Sequence, residues 1–168
     1  ESIKNSIAAD KLFADLNGVR TLGVQANLFH NAGADAIQGL VTAILWASEY
    51  IHLQTGNGLS ASTVAKRIHF VMAVDGNYFM EVAKLRALRG LCNMLLAAYG
   101  VKEEERIAPS VTAISSNRNK TVFDRHNNLL RLTTEGMAAA IGGANNVVLT
   151  SYDEIIDNSD FGKRLSVN

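Results

Sequence analysis

Four stretches of strand-like composition, beginning at residues 22, 69, 108 and 146, alternate with long helical patterns and recur about every forty residues. That alternation constrains the fold more than any other feature of the chain. The stretches LGVQANLF (22–29), HFVMAVD (69–75), APSVTAIS (108–115) and NVVLTSY (146–152) are rich in β-branched or alternating apolar residues. Successive strands joined by helix-length crossovers run parallel, because a hairpin reverses direction within a few residues. The pattern predicts an α/β fold of parallel β/α units, and no sequence repeat underlies the period. An open doubly wound sheet and part of a (β/α)8 barrel both satisfy it; four units would make about half of such a barrel.

The helical patterns follow from apolar spacing and from end signals. Ile37, Leu40, Val41, Ile44, Leu45 and Ile51 keep a three-four spacing and predict one buried face. Asp35 with Gln38 can form a capping box at its start, and Gly56 can stop its end. A second helix is predicted over 78–99, ending on Gly100. A third carries Leu129, Leu130, Met137 and Ile141 and ends on Gly142 and Gly143. An opening helix is expected over 3–16, and another begins near Phe161. Only Pro109 and TGNGLSAS (55–62) read as loop, so residues 1–168 are expected to form one domain without an internal boundary.

Composition excludes several function classes. Hydrophobic residues are 48% of the chain, enough for a sizeable core. Sixteen basic and sixteen acidic residues cancel, which gives no electrostatic case for nucleic acid or an anionic membrane. No apolar run approaches the ~20 residues that span a bilayer. The single cysteine, Cys92, excludes an internal disulfide and fits a reducing compartment. The chain opens at Glu1 without a leader pattern and is read as a piece of a cytoplasmic protein.

Several motifs invite chemistry and have plainer readings. GNGLSA (56–61) matches a dinucleotide fingerprint, but a helix precedes it where the fingerprint needs a strand, so it reads as a helix-terminating turn. DRH (124–126) has the form D-x-H of a cobalt-ligating motif, but Leu129 stands where that motif has glycine. Asp124 then reads as a charge at a helix start. His30, His52, His69 and His126 lack metal-ligand spacing, and Cys92 lies inside an apolar helical pattern. KEEE (102–105) reads as a solvated charge run. SSNRNKT (115–121) follows a strand at the C-terminal edge, where α/β proteins place their sites; Arg118 and Lys120 could hold an anion there or form a basic surface loop.

Three stretches taken together carry a family resemblance: HNAGADAIQGLVTAILWASEYI (30–51), NYFMEVAKLRALRGL (77–91) and NRNKTVFDRHNNLLRLTTEGMAAAIGGANNVV (117–148), followed by DFGKRLSVN. They resemble the methylmalonyl-CoA mutases, over the second half of the substrate-binding barrel. F-x-E-x-A-K-L-R-A-x-R, here Phe79 to Arg89, is the most specific of these signatures. The resemblance implies a (β/α)8 TIM barrel, of which this chain is about half, and a radical rearrangement between methylmalonyl-CoA and succinyl-CoA driven by adenosylcobalamin.

The catalytic subunits of the family carry a histidine four residues before the first alanine of an A-G-A turn. Leu28 occupies that place here, and His30 stands two residues further on. Their T-x-x-Q-T-S-G-W stretch is replaced by VTAISSNRNKT, with Ile114 near the glutamine position. Arg67 matches a CoA-contacting arginine, but the serine two residues beyond it is His69. RNKT, then an aspartate and a pair of asparagines, is similar to the small, non-catalytic subunit of the heterodimeric enzymes. The resemblance therefore implies no catalytic residue, and degenerate substrate-contact positions at His30, Arg67, His69, Arg118 and Lys120. His30 is expected to be structural, hydrogen-bonded within the turn around Asn31. Adenosylcobalamin would be bound in the assembled enzyme and not by this fragment alone, and the partner would be the catalytic large subunit. An active acyl-CoA mutase of different acyl specificity and a non-enzymatic binding relative are the alternatives. Two open sheet edges, with barrel-facing side chains such as Val24, Phe70, Val111 and Val148 or their strand neighbours, lead us to expect self-association of the fragment.

Overall fold

The computed structural model describes residues 12, 13 and 18–168. The helix expected over 3–16 lies outside the described residues except for Leu12 and Phe13. The elements run β1 (Leu22–Gln25), α1 (Ala26–Asn31), α2 (Ala36–Thr55), α3 (Ala61–Arg67), β2 (Ile68–Val74), α4 (Tyr78–Ala98), β3 (Ser110–Ser115), α5 (Asn127–Gly142), β4 (Asn146–Val148) and α6 (Asp160–Val167). All strand pairs are parallel, in the order β1-β2-β3-β4. That sequential order is the one consecutive barrel units produce, whereas a doubly wound sheet reverses direction at a switch point.

Strand register sorts side chains onto two faces. Leu22, Val24, Phe70, Met72, Val74, Val111 and Ala113 are buried beneath the helices with Ala43, Ala47, Ile51, Leu85, Leu88 and Leu96. Their neighbours Gln25, His69, Val71, Thr112, Ile114, Asn146 and Val148 share the other face. Of the residues named for the barrel interior, Val148 belongs to this open face, while Val24, Phe70 and Val111 lie under helices and their strand neighbours take that place.

Three local expectations are corrected. The strand expected over 22–29 stops at Gln25, and the chain turns into α1. Helical spacing puts Ala26 and His30 together on the buried side and leaves Leu28 and Phe29 exposed. Tertiary packing across β2 overrides the apolar run here. The stretch 55–62 is loop only in part, since Ser60 caps the short helix α3 through the Thr63 amide at 3.2 Å. The buried face of α2 is Gly39, Ala43, Ala47 and Ile51, so Ile37, Val41 and Leu45 point outward. In α5 likewise Leu132, Ala138 and Ala139 face inward while Leu130, Met137 and Ile141 are exposed.

Helix ends obey the expected chemistry. Asp35 accepts from the Gln38 amide at 2.8 Å, and Gln38 returns the contact to the Asp35 amide at 3.0 Å. Gly143 closes α5 in a left-handed conformation at φ 83°, with the Ala144 amide bonded back to Ala139 at 3.0 Å. Arg89 reaches from α4 to the Gly142 carbonyl at 3.0 Å and also donates to the Gly143 carbonyl. This close approach of α4 and α5 requires glycine at 142, where a Cβ would stand 2.7 Å from Leu85 Cδ1. Gly142→Ala should therefore destabilise the fold by about 1–3 kcal/mol through overpacking. A denaturant midpoint equal to that of the wild type would contradict this packing.

Candidate functional site

The C-terminal edge of the sheet gathers most of the buried polar groups. His30 arrives from the end of α1, Asp75 from just beyond β2, Ser116 and Arg118 to Lys120 from the loop after β3, and Glu135 from the buried face of α5. His30 Nε2 lies 2.9 Å from Ser116 Oγ and 3.4 Å from Asp75 Oδ2. Its partner is thus across the sheet edge and not within the turn around Asn31, as expected from sequence. Asn31 accepts instead from the Asn117 amide at 3.4 Å. Arg118 donates to Asp75 at 3.2 Å and to the Ala34 carbonyl at 3.3 Å, so the loop straps β3 to the β1 turn over the end of β2.

Each charge in this layer has an internal partner. Lys120 Nζ meets both oxygens of Glu135, at 2.8 and 2.7 Å, and both side chains are buried. Asn119 bridges Asp75 at 2.8 Å and Glu135 at 2.6 Å. Glu81 pairs with Lys84, and Lys84 also donates to the Ala73 carbonyl at 2.7 Å. Burial raises the Glu135 carboxyl above its usual range against the pull of Lys120, and lowers Lys120. Burial likewise raises Glu81. Burial opposes ionisation of Asp75 too, but the Gly76 amide, the His30 ring, Asn119 and Arg118 together hold it below the usual range.

His30 is 5% exposed, and burial, with Lys84 nearby, lowers its pKa to about 4. It stands as a neutral imidazole hydrogen-bonded to a hydroxyl. A cavity of about 310 Å³ opens beside it, lined also by Asp35, Ile37, Asp75, Asn77, Met80 and Arg118.

The five sequence-derived positions do not form one site. His30, Arg118 and Lys120 meet in this layer. His69 lies lower on the open sheet face, its ring nitrogens 2.9 Å from Ser110 Oγ and 2.9 Å from Thr112 Oγ1. Arg67 ends α3 at the opposite edge. Sequence reading missed Asp75, Ser116, Asn119 and Glu135. Asp75 was legible as the polar end of a strand, but Glu135 was not, because the expected apolar stripe of α5 put Leu130, Met137 and Ile141 inward.

Gly56, the first residue of GNGLSA, closes α2 as its C-cap. Cys92 is buried, its thiol pushed up to about 12. The Glu103–Glu105 turn is exposed. Asp124 and His126 are exposed, and the His126 ring stacks on Tyr152 at 5.8 Å. Helix α5 starts after His126 with no acidic residue in its first turn, so Asp124 is not the helix-start charge expected and instead accepts from the Asn127 side chain at 3.0 Å. Among the described residues no group of three or more metal-ligating side chains converges, and no helix is long and apolar enough to cross a membrane.

A sequential parallel sheet with its polar residues collected at the C-terminal edge defines a segment of the barrel class of α/β proteins. The methylmalonyl-CoA mutase family model matches residues 11–168, and the chain belongs to that family. It is 38% identical over 92% of its length to the methylmalonyl-CoA mutase small subunit of Porphyromonas gingivalis, covering 25% of that protein. It is 30% identical over 89% of its length to the small subunit of Propionibacterium freudenreichii, covering 24%. Against the methylmalonyl-CoA mutase of Escherichia coli the identity is 28% over 88% of this chain and 21% of that protein. The chain spans about a quarter of the length of these relatives.

The buried imidazole predicts a pH effect with a definite sign. The folded pKa lies below the unfolded 6.5, so the unfolded chain binds the extra proton and stability falls as pH drops from about 6.5 towards 4. The raised carboxyls of Glu81 and Glu135 work in the opposite sense at the acid end. Comparing His30→Gln with wild type isolates the histidine. The variant should lose less stability than the wild type between pH 6.5 and 5, and parallel profiles would contradict a neutral buried His30.

Proposed function

We propose that this chain is part of the substrate-barrel domain of the small, non-catalytic subunit of an adenosylcobalamin-dependent methylmalonyl-CoA mutase. Its partner is a catalytic large subunit, in the cytoplasm, which carries out the interconversion of methylmalonyl-CoA and succinyl-CoA. The observation that carries this reading is the mutual neutralisation at the C-terminal edge. Lys120 is held by Glu135, Arg118 by Asp75, and the His30 ring by Ser116, so the groups at the acyl end are engaged with one another. Leu28 is exposed on the helical turn α1, where a strand-borne catalytic histidine would have been expected. His30, Arg67, His69, Arg118 and Lys120 are, in this reading, remnants of substrate-contact positions.

The residues at D-x-H do not fit the role of axial cobalt ligand. His126 stands exposed at the start of α5 and is stacked on Tyr152, with Leu129 in place of the motif's glycine. We therefore assign the cobalamin to the rest of the assembled enzyme and derive no step through it. The contribution of this chain is to hold a rigid barrel wall beside the catalytic subunit.

One observation favours the rival reading of an active mutase with altered acyl specificity. His69 links Ser110 and Thr112 on the open face, with Asn146 Nδ2 3.4 Å from Thr112 Oγ1, a polar row that an acyl-CoA arm could follow.

A single preparation of the 168-residue chain separates the readings. Without a large subunit it should give no turnover of methylmalonyl-CoA with added adenosylcobalamin. By light scattering it should self-associate, because among the described residues β1 and β4 are the edge strands of the sheet, with no further strand beside them. Turnover above a blank would favour the active mutase, and a stable monomer would contradict the exposed edges.

A further inference from the structure

The glycine-rich stretch at 56–61 has no part in the polar layer at the sheet edge, yet it holds a chemically reactive pair, Asn57 followed by Gly58. The side-chain carbonyl carbon of an asparagine is open to attack by the backbone nitrogen of the next residue, which closes a five-membered ring. A side chain on that next residue obstructs the approach, and glycine has none. Asn57 and Gly58 are both exposed. Among the described residues, a Cβ placed on Gly58 would meet nothing within 4 Å.

The same two residues form the turn that finishes α2 beyond Gly56. The Leu59 amide donates to the Gln54 carbonyl at 3.2 Å and the Gly58 amide to the Thr55 carbonyl at 3.0 Å, with Gly58 left-handed at φ 91°. This is the paired bonding that ends helices on a glycine. The Asn57 amide turns to Gln54 at 3.1 Å, so the Leu53 carbonyl loses the donor that a continuing helix would have supplied. The Asn57 side chain takes that place, its Nδ2 donating to the Leu53 carbonyl at 2.7 Å. The group that reacts is therefore also the group that closes the helix end. Helix ends open locally far more readily than the whole fold. Each opening frees the Gly58 nitrogen from Thr55 and the Asn57 side chain from Leu53.

We propose that Asn57 is a site of spontaneous covalent modification and that its conversion to an acid undoes the end of α2. The Gly58 nitrogen gives its proton to solvent base and forms a bond to Asn57 Cγ. The Cγ–Nδ2 bond breaks, and the nitrogen leaves as ammonia after taking up a proton from water. A water molecule then opens the ring at either carbonyl, giving aspartate or isoaspartate. Ionised, neither product has a donor for the Leu53 carbonyl. Each also sets a negative charge against the negative end of a twenty-residue helix. Isoaspartate further lengthens the backbone by one atom, which takes Gly58 out of register with Thr55.

The folded 168-residue chain, incubated in mildly alkaline buffer, tests this when each asparagine is followed by peptide mass and by separation of the isoaspartyl form. Asn57 should convert several-fold faster than Asn158, whose follower Ser159 carries a side chain and is bonded to Asp153 through both its amide and its hydroxyl. Asn17 also precedes a glycine but lies outside the described residues, and its peptide is quantified separately. Asn57→Gln, which would have to close a less favourable six-membered ring, should stay unmodified. Asn57→Asp should fold and melt about 2–4 °C below the wild type, as the loss of one hydrogen bond does in a domain of this size. An intact Asn57, or one that converts no faster than Asn158, overturns the proposal. So does a folded Asn57→Asp variant with the wild-type melting temperature. Should that variant fail to fold, the wild type is melted at intervals during incubation, and a melting temperature that stays constant as Asn57 converts is equally fatal.

Discussion

An ion buried away from water must find its counter-charge inside the protein, and that requirement organises the C-terminal edge of this sheet. Glu135 sits on the inward face of α5 with no exposure at all. Lys120 answers it from the loop after β3, and Asn119 ties both to Asp75 at the end of β2. Removing one member would leave an uncompensated charge in a low-dielectric site, a loss of about 3–5 kcal/mol, whereas the intact pair contributes little net stability over an apolar pair of similar volume. The pair therefore fixes where the loop lies more than how stable the fold is. Once the loop is fixed, Ser116 stands within reach of His30, and Arg118 is set over Asp75 and the β1 turn.

That arrangement accounts for the contrast between site and chemistry. A substrate-binding edge keeps donors and charges available to an incoming group and lets binding engage them. Here the cations face carboxylates of the same chain, and the histidine is held neutral by burial with its nitrogen on a hydroxyl. The cavity beside His30 has the volume for a small ligand, but on its walls Asp75 is paired with Arg118 and Glu81 with Lys84, and Asp35 caps α2.

The fold was legible where the signal was periodic or chemical. Strand positions in β2 and β3, the start of β4, the Asp35–Gln38 capping box and the glycine stop after α5 all follow from residue types at fixed offsets, whereas β4, expected over 146–152, ends at Val148. The helix faces were not legible, because neighbouring helices approach through small residues. Ala43, Ala47, Ala138 and Ala139 are buried while larger apolar residues on the same helices are exposed. Hydrophobic spacing alone assigns the bulky stripe to the core. The end of β1 was missed for a related reason: AN-LF is apolar enough for a strand, and only the packing of α1 across β2 decides for a helix. In the site, Arg118 and Lys120 were visible as a basic loop after a strand, but their carboxylate partners lie fifteen to forty-three positions away and meet them only in the fold.

The central claim is that the polar layer at the C-terminal edge is structural. It is tested most directly by replacing the Lys120–Glu135 pair as a unit, with methionine at 120 and leucine at 135, in a small subunit assembled with its large subunit. The double replacement leaves no buried charge unpaired and should keep the fold, with the mutase rate of the complex within about tenfold of wild type, equivalent to ~1.4 kcal/mol. A correctly folded complex that has lost the rate by several hundredfold would show that these groups take part in the reaction, and would contradict the account.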